Sequence, residues 1–430
     1  MKTEFHLRRF TLEARSPLMV SNGGDDPLLD VILARDVNGL PMVPASGIVG
    51  ALRALLDEEK ANAMFGFQDR EKGACSALIF SDALYHWKDN YPRDGITFGL
   101  PNRSEDGVVA IGLEDSPTAR DHVRLNSRGV VNDDGKFNRP AVPRGARFTF
   151  EMSQWGDGKA LDEVATLVRA GFWLGGATRA GFGEVACVAE AGEALDLQSS
   201  GDWERYVALV TADLGSIGLL EMQDAALCDA PPATWVIEGQ IEGPLLIGGP
   251  PEGDDEDRAP YRERWIDWSA GSGQVADAEP VLPASAIKGP LRHRTYFHLQ
   301  KDGKGDAQGR LNTLFGHASD DGAGQAGRFR FHDVIMSGGK KIVLTHAGLD
   351  RFTGGTRKGV LFTDKMLWQP KLRIEISCVA DIDPPECDAF QSALKDMQAG
   401  LLGIGAEWGE GAGVFGKDTT LTGPGGTNET

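Results

Sequence analysis

The sequence predicts an α+β protein built from two tandem copies of one β-α-β-β-α-β unit, each with an inserted hairpin and long glycine-rich loops. Three observations predict it. A ten-residue motif occurs twice, its neighbours repeat in the same order, and the segments that open and close each copy alternate apolar and polar residues as half-buried strands do. The motif reads PASGIVGALR at 44–53 and PASAIKGPLR at 283–292. Upstream, LEARSPLMVSNGG (12–24) matches IEGPLLIGG (241–249). Downstream, AMFG (63–66) matches TLFG (313–316), and SALIFSDA (76–83) matches RFRFHDV (328–334). HVRLNSRGVVNDDGKF (122–137) then matches HAGLDRFTGGTRKGVLF (346–362), GARFTFEM (145–152) matches KLRIEIS (371–377), and GGATRAGFGEV (175–185) matches GIGAEWGEGAGVFGK (403–417). An ordered series of this length implies a duplication, with domains at 1–190 and 233–418.

Taken in order, FTLEARSPLMV is a strand. Ser46 and Ser285 are placed to N-cap helices over 48–59 and 287–299. ALIFSD and RFRFHD are short strands, ARFTFEM and LRIEIS longer ones, and LDEVATLVRAGFWLG and DAFQSALKDMQAGLLG second helices. That order is the split-βαβ, ferredoxin-like pattern, shared with RNA-recognition (RRM-type) modules. Between the copies, 191–232 reads as a helix and linker, with Trp203, Tyr206, Val207 and Val210 at helical spacing. The tail 419–430 reads as disordered.

Composition excludes several classes. Apolar residues make up 41% of the chain, enough for a core in each domain, and 56 glycines favour turns and close backbone approach. No apolar run reaches the ~18 residues of a membrane span. Five cysteines, odd in number and without CxxC spacing, read as reduced thiols of a cytoplasmic protein and argue against zinc. The net charge of −19 opposes indiscriminate nucleic-acid binding but allows a local basic groove. Arg120, Arg124, Arg128, Lys136, Arg139, Arg144 and Arg147 crowd one hairpin region. Arg351, Arg357, Lys358, Lys365, Lys371 and Arg373 crowd the other, while acidity gathers at GDDEDR (253–258).

The PxSxxxGxLR motif, the MFG/LFG element, GGATRAGFGEV and LDRFTGGTRKGVLF together resemble the RAMP superfamily, and within it the backbone subunits of type III CRISPR effector complexes. The resemblance covers almost the whole chain twice. It implies a guide CRISPR RNA, a single-stranded target RNA, and other RAMP-type and large subunits as partners. It also implies that each hairpin is a thumb displacing one nucleotide from the guide–target duplex. On this reading the helix N-termini at Ser46 and Ser285 face phosphate, aided by Arg53, Lys288 and Arg292. Arg179 of the first glycine-rich segment, and Arg124, Arg128, Lys136, Arg351, Phe352, Thr353, Arg357 and Lys358 of the thumbs, contact RNA.

The resemblance further implies endoribonuclease cleavage of the target by a loop Asp, with a divalent metal such as Mg2+. Asp30, six residues before Asp36, is the first copy's candidate, with Asp25 and Asp26 as alternatives. Asp267 is the second copy's. The competing account of these residues is that they cap turns, as Asp36 does with Asn38-Gly39. His122 and His346 match between copies and read as structural or RNA-contacting. Other functions stay open: a non-catalytic guide-binding scaffold, a nuclease that processes the guide precursor, or a duplicated ferredoxin-like protein with a small-molecule or regulatory role.

Overall fold

A computed structural model describes residues 3–24, 31–69, 72–125, 131–215, 220–226, 234–253, 256–317 and 324–424. They form a mixed α+β protein of antiparallel sheets and helices. The chain divides into two compact units. The first holds Met1–Thr178, Phe182–Ala230 and Arg264–Asp277; the second holds Arg179–Gly181, Pro231–Glu263 and Ala278–Thr430.

In the first unit the opening strand Glu4–Ala14 lies between Glu184–Asp196 and Arg147–Trp155, which in turn pairs with Leu78–Phe80 and Ala83–Tyr85. The alternation of the opening strand sorts its residues. Phe10, Leu12 and Ala14 enter a core with Ile48, Leu52, Phe148, Phe150, Val164 and Val168. Between them, Arg9, Thr11 and Glu13 stand directly opposite Glu151, Thr149 and Arg147. These cross-strand partners bond at 2.6, 2.8 and 2.8 Å, so the second face of the sheet carries a polar ladder. His86 joins it, 2.7 Å from Thr149 Oγ1.

The second unit repeats the strand order. Thr234–Gln240 lies between Lys371–Cys378 and Thr420–Thr422, and Phe329–Phe331 adds to the far side of Lys371–Cys378. Helices Ala284–Asp302, Ala307–Phe315 and Pro384–Gln398 bury Leu291, Phe315 and Phe390 against Trp235, Phe329 and Ile374.

Four expectations are corrected. The helix expected over 48–59 is two helices, Ala45–Arg53 and Glu58–Phe65, because the Asp57 side chain caps the second by accepting the Lys60 N–H at 2.9 Å. The segment expected as helix and linker belongs to the first unit. The strand Glu184–Asp196 runs past 190, and Tyr206 of the helix Ser200–Thr211 packs 4.9 Å from Phe5 and 5.6 Å from Trp155. The expected disordered tail begins with a strand, since Leu421 pairs with Ile237 and is buried in the second core. Residues 425–430 lie outside the described residues. Finally, Arg264–Asp277 belongs by sequence to the second copy but packs in the first unit.

Candidate nucleic-acid interface

The two opening helices of the motif start at Pro44-Ala45 and Pro283-Ala284 rather than at the serines. Proline cannot cap through its side chain, so the exposed N–H is met from elsewhere. The Ala45 N–H donates to Asp82 Oδ1 at 2.7 Å, and the Ala284 N–H donates to Asp333 Oδ1 at 2.8 Å. Asp82 and Asp333 hold the same place in SALIFSDA and RFRFHDV. A carboxylate therefore sits where a phosphate was expected, and neither Ser46 nor Ser285 makes a capping bond. Ser46 is exposed, and Ser285 and Lys288 are half-buried.

The motif arginines point inward. Arg292 donates to Gly316 O at 2.9 Å and to Asn312 Oδ1 at 3.1 Å. Arg53 donates to Gly66 O at 2.7 Å and also to Asn62 Oδ1. Each guanidinium thus ties the opening helix to the end of the next, at the glycine of MFG or LFG. Burial lowers the Arg292 pKa. Both guanidiniums, expected at phosphate, are engaged within the protein. This also explains why LR and FG recur together.

The glycine-rich segments are close to protein backbone. A β-carbon at Gly183 would lie 2.1 Å from Leu174 O, and one at Gly413 would lie 1.9 Å from Ile404 O. Both have positive φ, and both donate their N–H to the proline carbonyl after the opening strand, Gly183 to Pro17 at 2.9 Å and Gly413 to Pro244 at 2.8 Å. Arg179 packs in the second unit, where its Nε donates to Gly327 O at 2.9 Å. Burial lowers its pKa.

Each unit carries a long two-stranded hairpin. The first pairs Thr118–Leu125 with Val131–Ala141 and the second pairs Lys340–Leu349 with Thr356–Trp368. At corresponding places His122 stands opposite and stacks on Phe137, centroids 5.1 Å apart, and His346 stacks on Phe362 at 4.9 Å. A guanidinium covers each phenyl: Arg139 on Phe137, and Arg258 on Phe362. Burial, then Arg139 and Arg120, push the His122 pKa down to about 4.

Much of the expected basic surplus has internal partners. Arg120 is buried over Phe182, Arg144 covers Trp265, and Arg147 binds Glu13. Lys365 is ion-paired with Glu252 and Glu256, and Arg373 with Glu375. Lys136, Arg351 and Arg357 are exposed, with Lys136 3.5 Å from Asp121. At the second tip the Asp350 carboxylate accepts the N–H groups of Phe352 and Thr353 and the Thr353 hydroxyl. That turn holds Phe352 out, 94% exposed. Arg124 and Lys358 fall on the hairpin strands, and Arg128 lies outside the described residues.

Asp25, Asp26 and Asp30 also lie outside the described residues. Asp36 closes its turn by accepting the N–H groups of Asn38 and Leu40 at 2.8 and 2.9 Å. Asp267 is a turn residue as well. Its two oxygens accept the Ser269 N–H and hydroxyl, each at 2.9 Å, and these bonds hold its carboxyl below the usual range. Among the described residues no group of three or more His, Cys, Asp or Glu could hold a metal ion. No helix among the described residues is long and apolar enough to cross a membrane.

Two α+β units of one strand order, each carrying a long hairpin and a tight glycine loop, define a duplicated module. The chain belongs to the RAMP superfamily, whose family model matches residues 11–186 and 267–415. No curated protein matches the chain. Similar solved chains include one from a type III-B Cmr-beta complex bound to cognate target RNA. It is 14% identical, with a TM-score of 0.33, over 42% of this chain and 96% of that one. Another comes from a type IV-B CRISPR complex, 16% identical, with a TM-score of 0.32, over 44% of this chain and 90% of that one.

Proposed function

We propose that the chain is a fused double backbone subunit of a type III CRISPR RNA-guided complex. Its two units are ferredoxin-like, RRM-type modules that bind a guide RNA paired to target RNA, beside other RAMP-type and large subunits. The observation that carries this reading is the pair of hairpins. Each has a His–Phe stack at corresponding positions, covered by Arg139 of the hairpin itself in the first and by Arg258 from outside the hairpin in the second, and the second presents Phe352 and Arg351 outward at its tip. An exposed phenyl beside a guanidinium can wedge against an unstacked base and bind its phosphate. Family membership supports the reading.

Cleavage of the target, with a divalent metal such as Mg2+, is assigned in this reading to Asp30 in the first copy, with Asp25 and Asp26 as alternatives, and to Asp267 in the second. Native purification followed by sequencing of bound RNA tests the binding role. The expected result is short RNA with a uniform repeat-derived 5′ sequence. A preparation with no bound RNA would overturn the reading in favour of a small-molecule or regulatory role. Asp30→Ala with Asp267→Ala in the assembled complex should abolish target cleavage and leave guide binding intact. Undiminished cutting in the double variant would overturn the assignment to Asp30 and Asp267, and undiminished cutting with Asp25 and Asp26 replaced as well would assign the chain a purely scaffolding role.

A further inference from the structure

The acidic run after the second unit's glycine pair is a motif that the proposed function leaves unused. Its described carboxylates lie on the second hairpin. Glu252 is 3.0 Å from Lys341 Nζ and 3.1 Å from Lys365 Nζ, and Glu256 is 2.8 Å from Lys365 Nζ. These contacts lower the pKa of both glutamates and raise that of Lys365. The backbone is laid along the hairpin too. Asp257 exchanges bonds with Thr363, its N–H donating to Thr363 O at 2.8 Å and its Oδ2 accepting the Thr363 N–H at 2.7 Å. The Lys365 N–H donates to Arg258 O at 2.9 Å. Arg258 then anchors the segment through Asp364, with bonds of 2.7 and 2.6 Å.

Lys341 stands opposite Leu367, and Lys365 opposite Val343, so the two lysines are diagonal neighbours on one face of the hairpin. Farther along that face Val343 and Leu361 are exposed. The carboxylate oxygens of Glu252 and Glu256 occupy the positions that phosphate oxygens would take on this lysine pair. The Lys341–Glu252 pair is partly exposed and therefore weak and screened by salt, while Glu256 is more enclosed against Lys365. A phosphate chain gains from counterion release and can displace them.

We propose that Lys341 and Lys365 form a phosphate-binding site for single-stranded RNA, which Glu252 and Glu256 occupy in the free protein. RNA then engages this face only by displacing the acidic segment. The inference rests on the RNA-binding reading above.

The test uses the full chain freed of nucleic acid and fluorescein-labelled oligouridylate, with anisotropy measured over a salt series. Glu252→Gln with Glu256→Gln should bind about tenfold more tightly at low salt. Its log–log salt slope should steepen by about 1.4, or about 0.7 for each of two phosphates. Lys341→Ala with Lys365→Ala should change wild-type binding less than about twofold, yet remove the gain when added to the glutamine variant. In the wild type, oligouridylate should speed hydrogen exchange at the Thr363 and Lys365 amides. Equal binding by wild type and glutamine variant, with unchanged exchange, would overturn this inference and leave the RNA-binding reading standing. A loss of affinity on lysine substitution as large in the wild type as in the glutamine variant would overturn it as well. Failure of both proteins to bind oligouridylate would overturn the two together.

Discussion

Arg53 and Arg292 show how one residue type supports two different readings. From sequence, an arginine about two turns into a helix with a phosphate-type N-terminus reads as a ligand contact. In the fold each guanidinium spans two helices and donates to a glycine carbonyl. Arg292→Ala should therefore destabilise the second unit by about 1.5–3 kcal/mol, the usual worth of charged hydrogen bonds. Arg292→Lys should rescue little, because an ammonium lacks the fork. Thermal melting reads the loss, while the salt slope of RNA binding should stay unchanged. A slope reduced by about one would restore the phosphate role. His86 gives a second prediction at this scale. Burial, opposed by its bond with Asn90, holds its pKa at about 4, well below the ~6.5 of an unfolded chain. The folded state then binds the proton later than the unfolded one. Stability is full above pH ~6.5 and falls as pH drops toward 4, by about 3 kcal/mol for this group. Melting of the wild type and of His86→Gln from pH 7 to 4.5 checks it; the variant should show a flatter profile.

Elements were legible where their cause is local. The alternation in FTLEARSPLMV and LRIEIS, and the helical spacing in LDEVATLVRAGFWLG, lie within a few residues of each other and read directly as strands and helices. The paired histidines and phenylalanines were visible as matched landmarks, and they stack because each hairpin register puts them opposite one another. The caps were not legible. Asp82 and Asp333 lie more than thirty residues from the N–H groups they accept, and no local signal links them. The basic surplus misled for the same reason, since counting charges along the chain cannot show which are spent on partners far away. Within the second hairpin the base and tip should separate cleanly. Phe362→Ala removes a ring stacked on His346 and covered by Arg258, and should cost at least about 1 kcal/mol. Phe352→Ala removes a ring that is almost wholly in solvent, so its effect on stability should stay within about 0.5 kcal/mol. Chemical denaturation measures both. On the RNA-binding reading, only the tip variant should weaken target engagement without loosening the fold.

At the scale of the whole molecule the duplication was plain from the order of its landmarks, but the division of the chain between cores was not. Arg264–Asp277 follows the second copy's glycine pair in sequence, yet Ile266 is buried in the first core. Its N–H donates to Arg144 O at 2.9 Å, Trp268 Nε1 donates to Gly145 O at 2.6 Å, and Arg264 binds Glu114. Gly145 has a positive φ, and a β-carbon there would lie 2.0 Å from Ile266 O, so the strand start at Arg147 is shaped around this segment. Two separate cores make a single all-or-none transition a poor expectation for the chain. Ile266→Ala should cost about 2–5 kcal/mol, as buried isoleucine truncations do, and the cost should fall on the first unit. Hydrogen exchange resolves where it falls. Amides of Glu4–Ala14 and Arg147–Trp155 should lose protection, while those of Lys371–Cys378 should keep it. Loss confined to Lys371–Cys378 would mean that the segment is coupled in energy to the copy that encodes it, and that its seat in the first core contributes little.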